Sequence, residues 1–475
     1  MANFFFAGTF LYLLGFGFFF LTGSLFYFGE AVSYEGLMRM LLGLPFASAT
    51  PTLPVSLTPY SPLFLLPLAV IGKLAHISTI ERAIPLARGY QTILLVLLFL
   101  SINRMRKHFF PQVSDGVSFV CACLLLFFYN PVMELALRPD TLSFLCEFWA
   151  VYSVLLFTRC NQDRFIWISS LFFSLALAVK LNTAGCLLGT LGYFLTAKDW
   201  KALLKLGTAT FFLTLLLLGG HELFLGEAFS KNILLSIQSQ IWHLGGAIEV
   251  YKKVFDLLLI PLGFYFFLII FGVQSFEEKN QSRYFVWILS VSFLLALVGQ
   301  LKWGAYHNYF LGSLYLGLLP ASCAIHRLSQ ISRRTLFFSV ALVTSFFIFR
   351  SVAIPVKIFL DKRYFFELDR LQELVNEKAP KGFIYTQDEK IQLGFVGKSA
   401  FGVLTEELIW TTPKLSPLLP VLKQELNKAG SPQAFITLCS AGLSQASVQQ
   451  WGFSDLSQWD KTQTGNYCLY THANH

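Results

Sequence analysis

Apolar stretches of about 15 to 24 residues recur through the first three quarters of the chain, each long enough to cross the hydrocarbon core of a bilayer. Backbone surrounded by lipid has no water to bond, so such segments are confined to helices that satisfy their own N–H and C=O groups. A water-soluble core cannot absorb them. Hydrophobic residues make up 55% of the chain and charged residues 13%, far from the balance of soluble domains. Spanning helices are expected near residues 4–27, 83–102, 117–133, 141–158, 165–180, 183–197, 206–224, 254–273, 284–301, 309–326 and 335–354. The first of these, about Phe4 to Tyr27, has no basic leading region and no small-residue cleavage site, so it is expected to be retained as a helix.

One further apolar segment, about Tyr60 to Ala75, is a poor spanning helix. It opens around Pro59, Pro62 and Pro67 and carries Lys73, and it is expected to be re-entrant or interfacial. With that segment left out of the count, the most basic short loops fall on one side. They are Arg104 to Lys107, Arg159 to Arg164, Lys198 to Lys205, Lys279 to Arg283 and Arg327 to Arg334. By the positive-inside rule that side is cytoplasmic. About 11 spans follow, with the N-terminus inside and the C-terminal region outside.

The formal net charge of +9 lies wholly in the membrane portion, because residues 356–475 hold twelve basic and twelve acidic side chains. Basic loops beside membrane helices follow from anionic lipid and orientation, which argues against a nucleic-acid partner. The chain therefore divides into a membrane domain at 1–355, with a first outer loop and interfacial helices at 28–59, and a small extracytoplasmic α/β domain at 356–475. In the latter, Asp361 to Ala379 and Leu415 to Lys428 read as helices, and Gly382 to Thr386, Ala434 to Cys439 and Tyr467 to Thr471 as strands. Six of the eight cysteines fall in or beside apolar helices, where they act as small buried hydrophobes. Cys439 and Cys468 lie in the tail and can pair if the fold brings them together outside the cytosol. No internal repeat is visible, in contrast to many transporters.

Ionisable residues at the membrane ends of helices mark candidate chemistry. On the outer side this topology collects Glu30, Glu35, Arg138, Asp140, Lys180, Lys302 and His307. Glu30 is readable as an interfacial charge or as a general base beside an acceptor hydroxyl. Arg138 and Asp140 flank Pro139, and read either as a structural ion pair capping the next helix or as contacts to an anionic ligand and its acceptor. Lys180 sits in a tight hairpin, where it either snorkels to headgroups or neutralises a phosphate leaving group. Lys302 to Phe310 is either an aromatic and basic interface belt, with Asn308 as a helix cap, or part of the site. His307 has no second ligand at metal-binding spacing, so no zinc site is indicated.

Gly29-Glu30-Ala31 through Met38-Arg39-Met40-Leu41-Leu42-Gly43, followed by Tyr60-Ser61-Pro62-Leu63-Phe64, resembles the first outer loop of bacterial polytopic glycosyltransferases of the GT-C fold. These are relatives of the family-39 protein mannosyltransferases and the lipid A aminoarabinose transferases. Arg138-Pro139-Asp140-Thr141-Leu142, Lys180-Leu181-Asn182-Thr183 and Lys302-Trp303-Gly304 to Asn308-Tyr309-Phe310-Leu311 resemble three later signatures, in the same order. The resemblance covers about residues 25 to 325.

It implies a polytopic α-helical GT-C-like protein of the bacterial inner membrane. The implied reaction moves a sugar from a polyprenyl-phosphate donor to a glycolipid, glycan or protein acceptor on the outer face, with inversion. The acceptor-activating acid would be Glu30, with Glu35 as the alternative. Many relatives carry Asp-Glu at this point, whereas here Gly29 precedes a single acid. Arg138, Asp140, Lys180, Lys302, His307, Asn308, Tyr309 and Tyr60 would contact donor phosphate or acceptor. No cofactor is required, and a divalent metal is possible but not indicated. A lipid-linked saccharide flippase or a polysaccharide polymerase or ligase is the competing expectation.

Overall fold

The structure is a computed structural model. It describes residues 28–46, 61–118, 121, 137–180, 183–225, 266–276, 278–299, 307–331, 363–378, 384–386, 434–439, 459–464 and 467–472, with positions 392, 395 and 424. The expected spans at 4–27 and 335–354, most of those at 117–133 and 254–273, and all but position 424 of the helix expected over Leu415 to Lys428 lie outside these residues.

The helices are α1 (Phe28–Leu41), α2 (Leu66–Leu74), α3 (Ile80–Phe109), α4 (Asp140–Cys160), α5 (Asp163–Val179), α6 (Gly185–Thr196), α7 (Trp200–Leu225), α8 (Lys279–Gly299), α9 (Leu311–Ile331) and α10 (Arg363–Lys378). Among the described residues α3, α4, α7 and α8 are long and apolar enough to cross a membrane. The described residues fall into two compact units. One holds α3 from Gly89 onward, α4 to α6, α7 as far as Gly220, α8 and α9; the other holds α1, α2, the start of α3 and the C-terminal sheet.

In the first unit, α3 runs past its expected end at residue 102, reaching Phe109 over 30 residues, about 45 Å. Arg106 and Lys107 stay helical because the carbonyl end of a helix favours cations. Arg106 also donates to Asn103 Oδ1 (3.0 Å), to the Val113 carbonyl and to Asp115. The α4–α5 hairpin closes on Asn161, which takes a left-handed conformation (φ 52°) and donates its N–H to the Phe157 carbonyl, a conformation Asn tolerates better than most residues.

The segment expected to span at 183–197 is a helix of only 12 residues, about 18 Å and too short to cross alone. It packs against α8 through glycine: a Cβ on Gly189 would lie 2.6 Å from Ile288 Cα. Thr190 Oγ1 and Tyr284 Oη share a hydrogen bond of 3.0 Å across the same contact. Small residues of this kind let membrane helices approach backbone to backbone. Residues 311–325 of α9 are all buried, and α9 is apolar nearly all round, as an interior helix must be. On α7, Phe211, Phe212, Leu215 and Leu216 are exposed, apolar surface that lipid covers.

In the second unit, the segment expected not to span proves to be a 3-10 turn, Pro62–Phe64, followed by nine-residue α2. Ser61 opens the turn by accepting from Leu63 N–H at 3.2 Å, with Pro62 directly after it, where its missing N–H costs nothing. The tail forms a four-stranded sheet of β1 (Ile384–Thr386), β2 (Ala434–Leu438), β3 (Trp459–Thr464) and β4 (Tyr467–His472), in the order β1-β2-β4-β3. β1 and β2 are parallel, and β4 is antiparallel to both its neighbours. α10 packs on this sheet with Leu371 and Val375 fully buried. β3 was not expected: only its ends, Trp459 and Thr464, are buried, so the sequence lacks the alternation that marks a strand. Cys439, just beyond β2, is disulfide-bonded to Cys468 on β4, with Cα atoms 5.0 Å apart.

Candidate active site

α1 begins directly after the first apolar run and buries its polar residues. Glu30, Ser33 and Tyr34 are fully buried and Glu35 and Arg39 nearly so. Glu30 and Tyr34 are four residues apart and share one face of the helix. The Tyr34 hydroxyl reaches the Ile84 carbonyl of α3 at 3.4 Å. It also meets the Glu30 carboxylate and the fully buried Arg88 guanidinium. Burial, reinforced by the Glu30 charge, pushes the Tyr34 phenol well above its ordinary pKa, with Arg88 opposing; the phenol stays protonated and able to donate. Glu35 takes a different partner, the Arg39 guanidinium, at 3.7 Å one turn along α1. Arg39 Nε donates in turn to the Pro45 carbonyl at 2.7 Å, so this pair ties α1 to the chain that follows it.

The second cluster belongs to the first unit. Asp140 is the first residue of α4, where the helix dipole favours a carboxylate. It bridges two cations, with Oδ2 at 3.3 Å from Arg138 Nε and Oδ1 bonded to Lys180 Nζ. The Arg138, Asp140 and Lys180 side chains are 7%, 5% and 11% exposed. Two cations to one carboxylate leave these three with a net positive charge in a desolvated setting, where electrostatics act at short range with little screening.

The backbone around the cluster is fixed on all sides. Gln91 Nε2 donates to the Arg138 carbonyl at 2.7 Å. Lys180 caps α5, its N–H bonded to the Ala176 carbonyl. Thr183 Oγ1 donates to the Lys180 carbonyl (2.6 Å) and accepts from Ser143 Oγ (2.8 Å). The Lys180 ammonium lies 5.4 Å from the centre of the Tyr309 ring, a cation–π distance. Gly299 at the end of α8 makes room for that ring, since a Cβ there would sit 2.6 Å from it.

Of the residues expected at the site, the structure brings Arg138, Asp140, Lys180 and Tyr309 together and buries Glu30 beside Tyr34 and Arg88. Glu35 is engaged by Arg39. Lys302 and Tyr60 lie outside the described residues, and His307 and Asn308 are described in backbone only, within a 3-10 turn (His307–Phe310) that precedes α9.

Among the buried polar residues not expected from sequence are Tyr34, Arg88 and Glu147. Glu147 lies on α4 two turns beyond Asp140 and meets both the side chain and the backbone of Cys186. Arg88 and Glu147 each interrupt an apolar run (Ala87-Arg88-Gly89, Cys146-Glu147-Phe148), and that interruption is the signal that could have found them.

No protein-family model and no curated protein matches the sequence. Solved structures do match. ArnT from Cupriavidus metallidurans bound to undecaprenyl phosphate aligns with a TM-score of 0.67 at 10% identity, covering 97% of this chain and 97% of that one. The apo state of the same protein aligns with a TM-score of 0.65 over the same shares, again at 10% identity. At this identity the likeness speaks for architecture: the chain is a polytopic helical membrane protein with the GT-C fold of ArnT.

Proposed function

We propose that the chain is a membrane glycosyltransferase that moves a sugar from a polyprenyl-phosphate carrier to a glycolipid, glycan or protein acceptor outside the cytosol. The observation that carries this reading is the fold match over 97% of both chains to ArnT solved with undecaprenyl phosphate. The buried Glu30 and the Arg138–Asp140–Lys180 cluster supply side chains suited to that chemistry.

In the proposed reaction the acceptor oxygen attacks the anomeric carbon while Glu30 takes its proton. The bond from that carbon to the phosphate oxygen breaks, and the polyprenyl phosphate leaves with the electron pair. A single displacement inverts configuration and needs only one carboxylate, unlike the paired acids of glycosidases. Arg138 and Lys180 neutralise the departing phosphate, Asp140 holds both cations in place, and Tyr309 orients the Lys180 ammonium. Lys302, Tyr60, His307 and Asn308 are assigned to donor or acceptor contacts by the sequence resemblance alone. No cofactor is required in this proposal, and a divalent metal would only supplement these cations.

The tail is placed outside the cytosol in this proposal. The Cys439–Cys468 disulfide supports that placement, since such bonds persist in oxidising compartments.

The test is Glu30→Gln in membranes supplied with a panel of undecaprenyl-phosphate sugars. Loss of sugar transfer by a protein that still folds is the expected result, and unimpaired transfer would remove Glu30 as the base. Movement of the labelled donor across proteoliposomes without any product would favour a flippase instead.

A further inference from the structure

The fully buried Tyr34 stands between the only carboxylate proposed to do chemistry and a fully buried guanidinium, all within one unit. Three features fix its role. Glu30 and Tyr34 are one turn apart on α1, and Ile84 and Arg88 are one turn apart on α3, so two i, i+4 pairs face one another across the helix contact. Side chains on a helix lean toward its N-terminus, which carries the Arg88 guanidinium back toward Ile84, whose carbonyl the Tyr34 hydroxyl reaches. That contact is 3.4 Å, long for O–H···O. A carboxylate is the stronger, charge-assisted acceptor, so the phenol proton goes to Glu30 and the phenol oxygen accepts from Arg88.

We propose that Tyr34, held by Arg88, is a positioning residue that donates to Glu30 and keeps its carboxylate ionised and aimed although it is buried from solvent. This rests on Glu30 being the base. Hydration cannot hold a fully buried carboxylate in its charged form, and a fixed donor backed by a cation substitutes for it. Among the described residues the other charged groups near this contact are engaged or outward, except Glu81, whose Oε1 is buried and makes no hydrogen bond. Glu35 pairs with Arg39, Lys73 of α2 and Arg82 of α3 are exposed, and Glu81 is only half-buried at the start of α3. Tyr34 senses Glu30 and Arg88 as its charged neighbours.

The experiment is an infrared pH titration of the purified full chain in detergent, reading the protonated-carboxyl band that disappears in Glu30→Gln. Tyr34→Phe keeps the ring and removes only the hydroxyl, so the packing of α1 is retained. Its band is expected to persist to higher pH, with the midpoint raised by about one to two units relative to the unaltered chain. Arg88→Gln is expected to raise the midpoint as well, and Arg88→Lys to raise it less. A midpoint unchanged in Tyr34→Phe would overturn the proposal, whatever Arg88→Gln shows. Sugar transfer measured on the same preparations separates the two claims. Transfer retained in Glu30→Gln defeats the assignment of the base. Transfer lost in Glu30→Gln with no midpoint shift in Tyr34→Phe leaves the base in place and defeats the positioning role.

Discussion

Asp140 holds Lys180 and Arg138 at once, joining the first residue of α4 to the residue that caps α5. A cation and the carboxylate are not equivalent in what their loss would do. Taking away Lys180 leaves an Arg138–Asp140 pair, whereas taking away the carboxylate leaves two buried cations facing each other.

Asp140→Asn is therefore expected to be the most destabilising single change in this cluster, by about 3–5 kcal/mol, the usual range for stripping one partner from a buried ion pair. Lys180→Met should cost less, and the Asp140→Asn/Lys180→Met double variant should be more stable than Asp140→Asn alone. Thermal unfolding in detergent reads the order directly. If Lys180→Met proved the worst of the three, Asp140 would not be the hub of the cluster.

The two acids of α1 separate in the same way. Glu35 is engaged by Arg39, so Glu35→Gln should lower thermal stability while leaving more transfer activity than Glu30→Gln. Glu30→Gln should lose the contribution of a general base, roughly 10²–10⁴-fold in rate at equal folded fraction, and it should also cost stability, because the fully buried Arg88 loses the carboxylate across Tyr34. Comparing the melting temperature and turnover of the two variants decides between them. A Glu35→Gln protein as inactive as Glu30→Gln would restore Glu35 as a candidate base.

Cysteine accessibility tests the proposed orientation. Cys160 is exposed at the C-terminal end of α4, while Cys439 and Cys468 are bonded to each other. In spheroplasts, a membrane-impermeant maleimide should leave Cys439, which is partly exposed, unlabelled until a reductant is added, and should then label it without permeabilisation, while Cys468 stays shielded by burial. Cys160 should react only after the membrane is opened, because Arg159 to Arg164 is assigned to the cytoplasmic face. Labelling of Cys160 from outside, with the tail protected, would invert the topology.

Among the described residues the long apolar helices were legible because lipid imposes a length and an apolar composition that sequence shows directly. α4 and α5 fall within two residues of their expected bounds. The short α6 was not legible as short, since Leu187-Leu188-Gly189-Thr190-Leu191 has the composition of a spanning helix, and only its packing on α8 shows why it stops. Arg138, Asp140 and Lys180 could be picked out as charges at helix ends, but their sharing of one carboxylate depends on two turns about 40 residues apart meeting in space. Arg88 and Tyr34 were not legible for a different reason. A tyrosine on an apolar face reads as core, and Arg88 falls in what hydropathy marks as a spanning segment, so only the α1–α3 contact reveals their relation to Glu30.

The glycines of α6 connect that packing to the site. A Cβ at Gly189 would lie 2.6 Å from Ile288 Cα and 3.0 Å from the Trp287 carbonyl oxygen. These are backbone atoms, so relief requires α6 and α8 to separate, which breaks the Thr190–Tyr284 hydrogen bond. Gly189→Ala is expected to cost about 1–3 kcal/mol, the usual penalty for overpacking. Gly207 on α7 is the control: its added Cβ would make only an ordinary contact, 3.8 Å from Leu191. Gly207→Ala should be neutral or stabilising by up to about 1 kcal/mol, because alanine costs less backbone entropy in a helix. α6 also carries Cys186, the partner of Glu147, and follows directly on Thr183, which bonds the Lys180 carbonyl. Displacing α6 should therefore disturb Lys180, and Gly189→Ala is expected to lose transfer activity at temperatures where it remains folded, while Gly207→Ala keeps it. Equal activity in the two variants, at equal folded fraction, would show that the α6–α8 contact does not support the Lys180 turn.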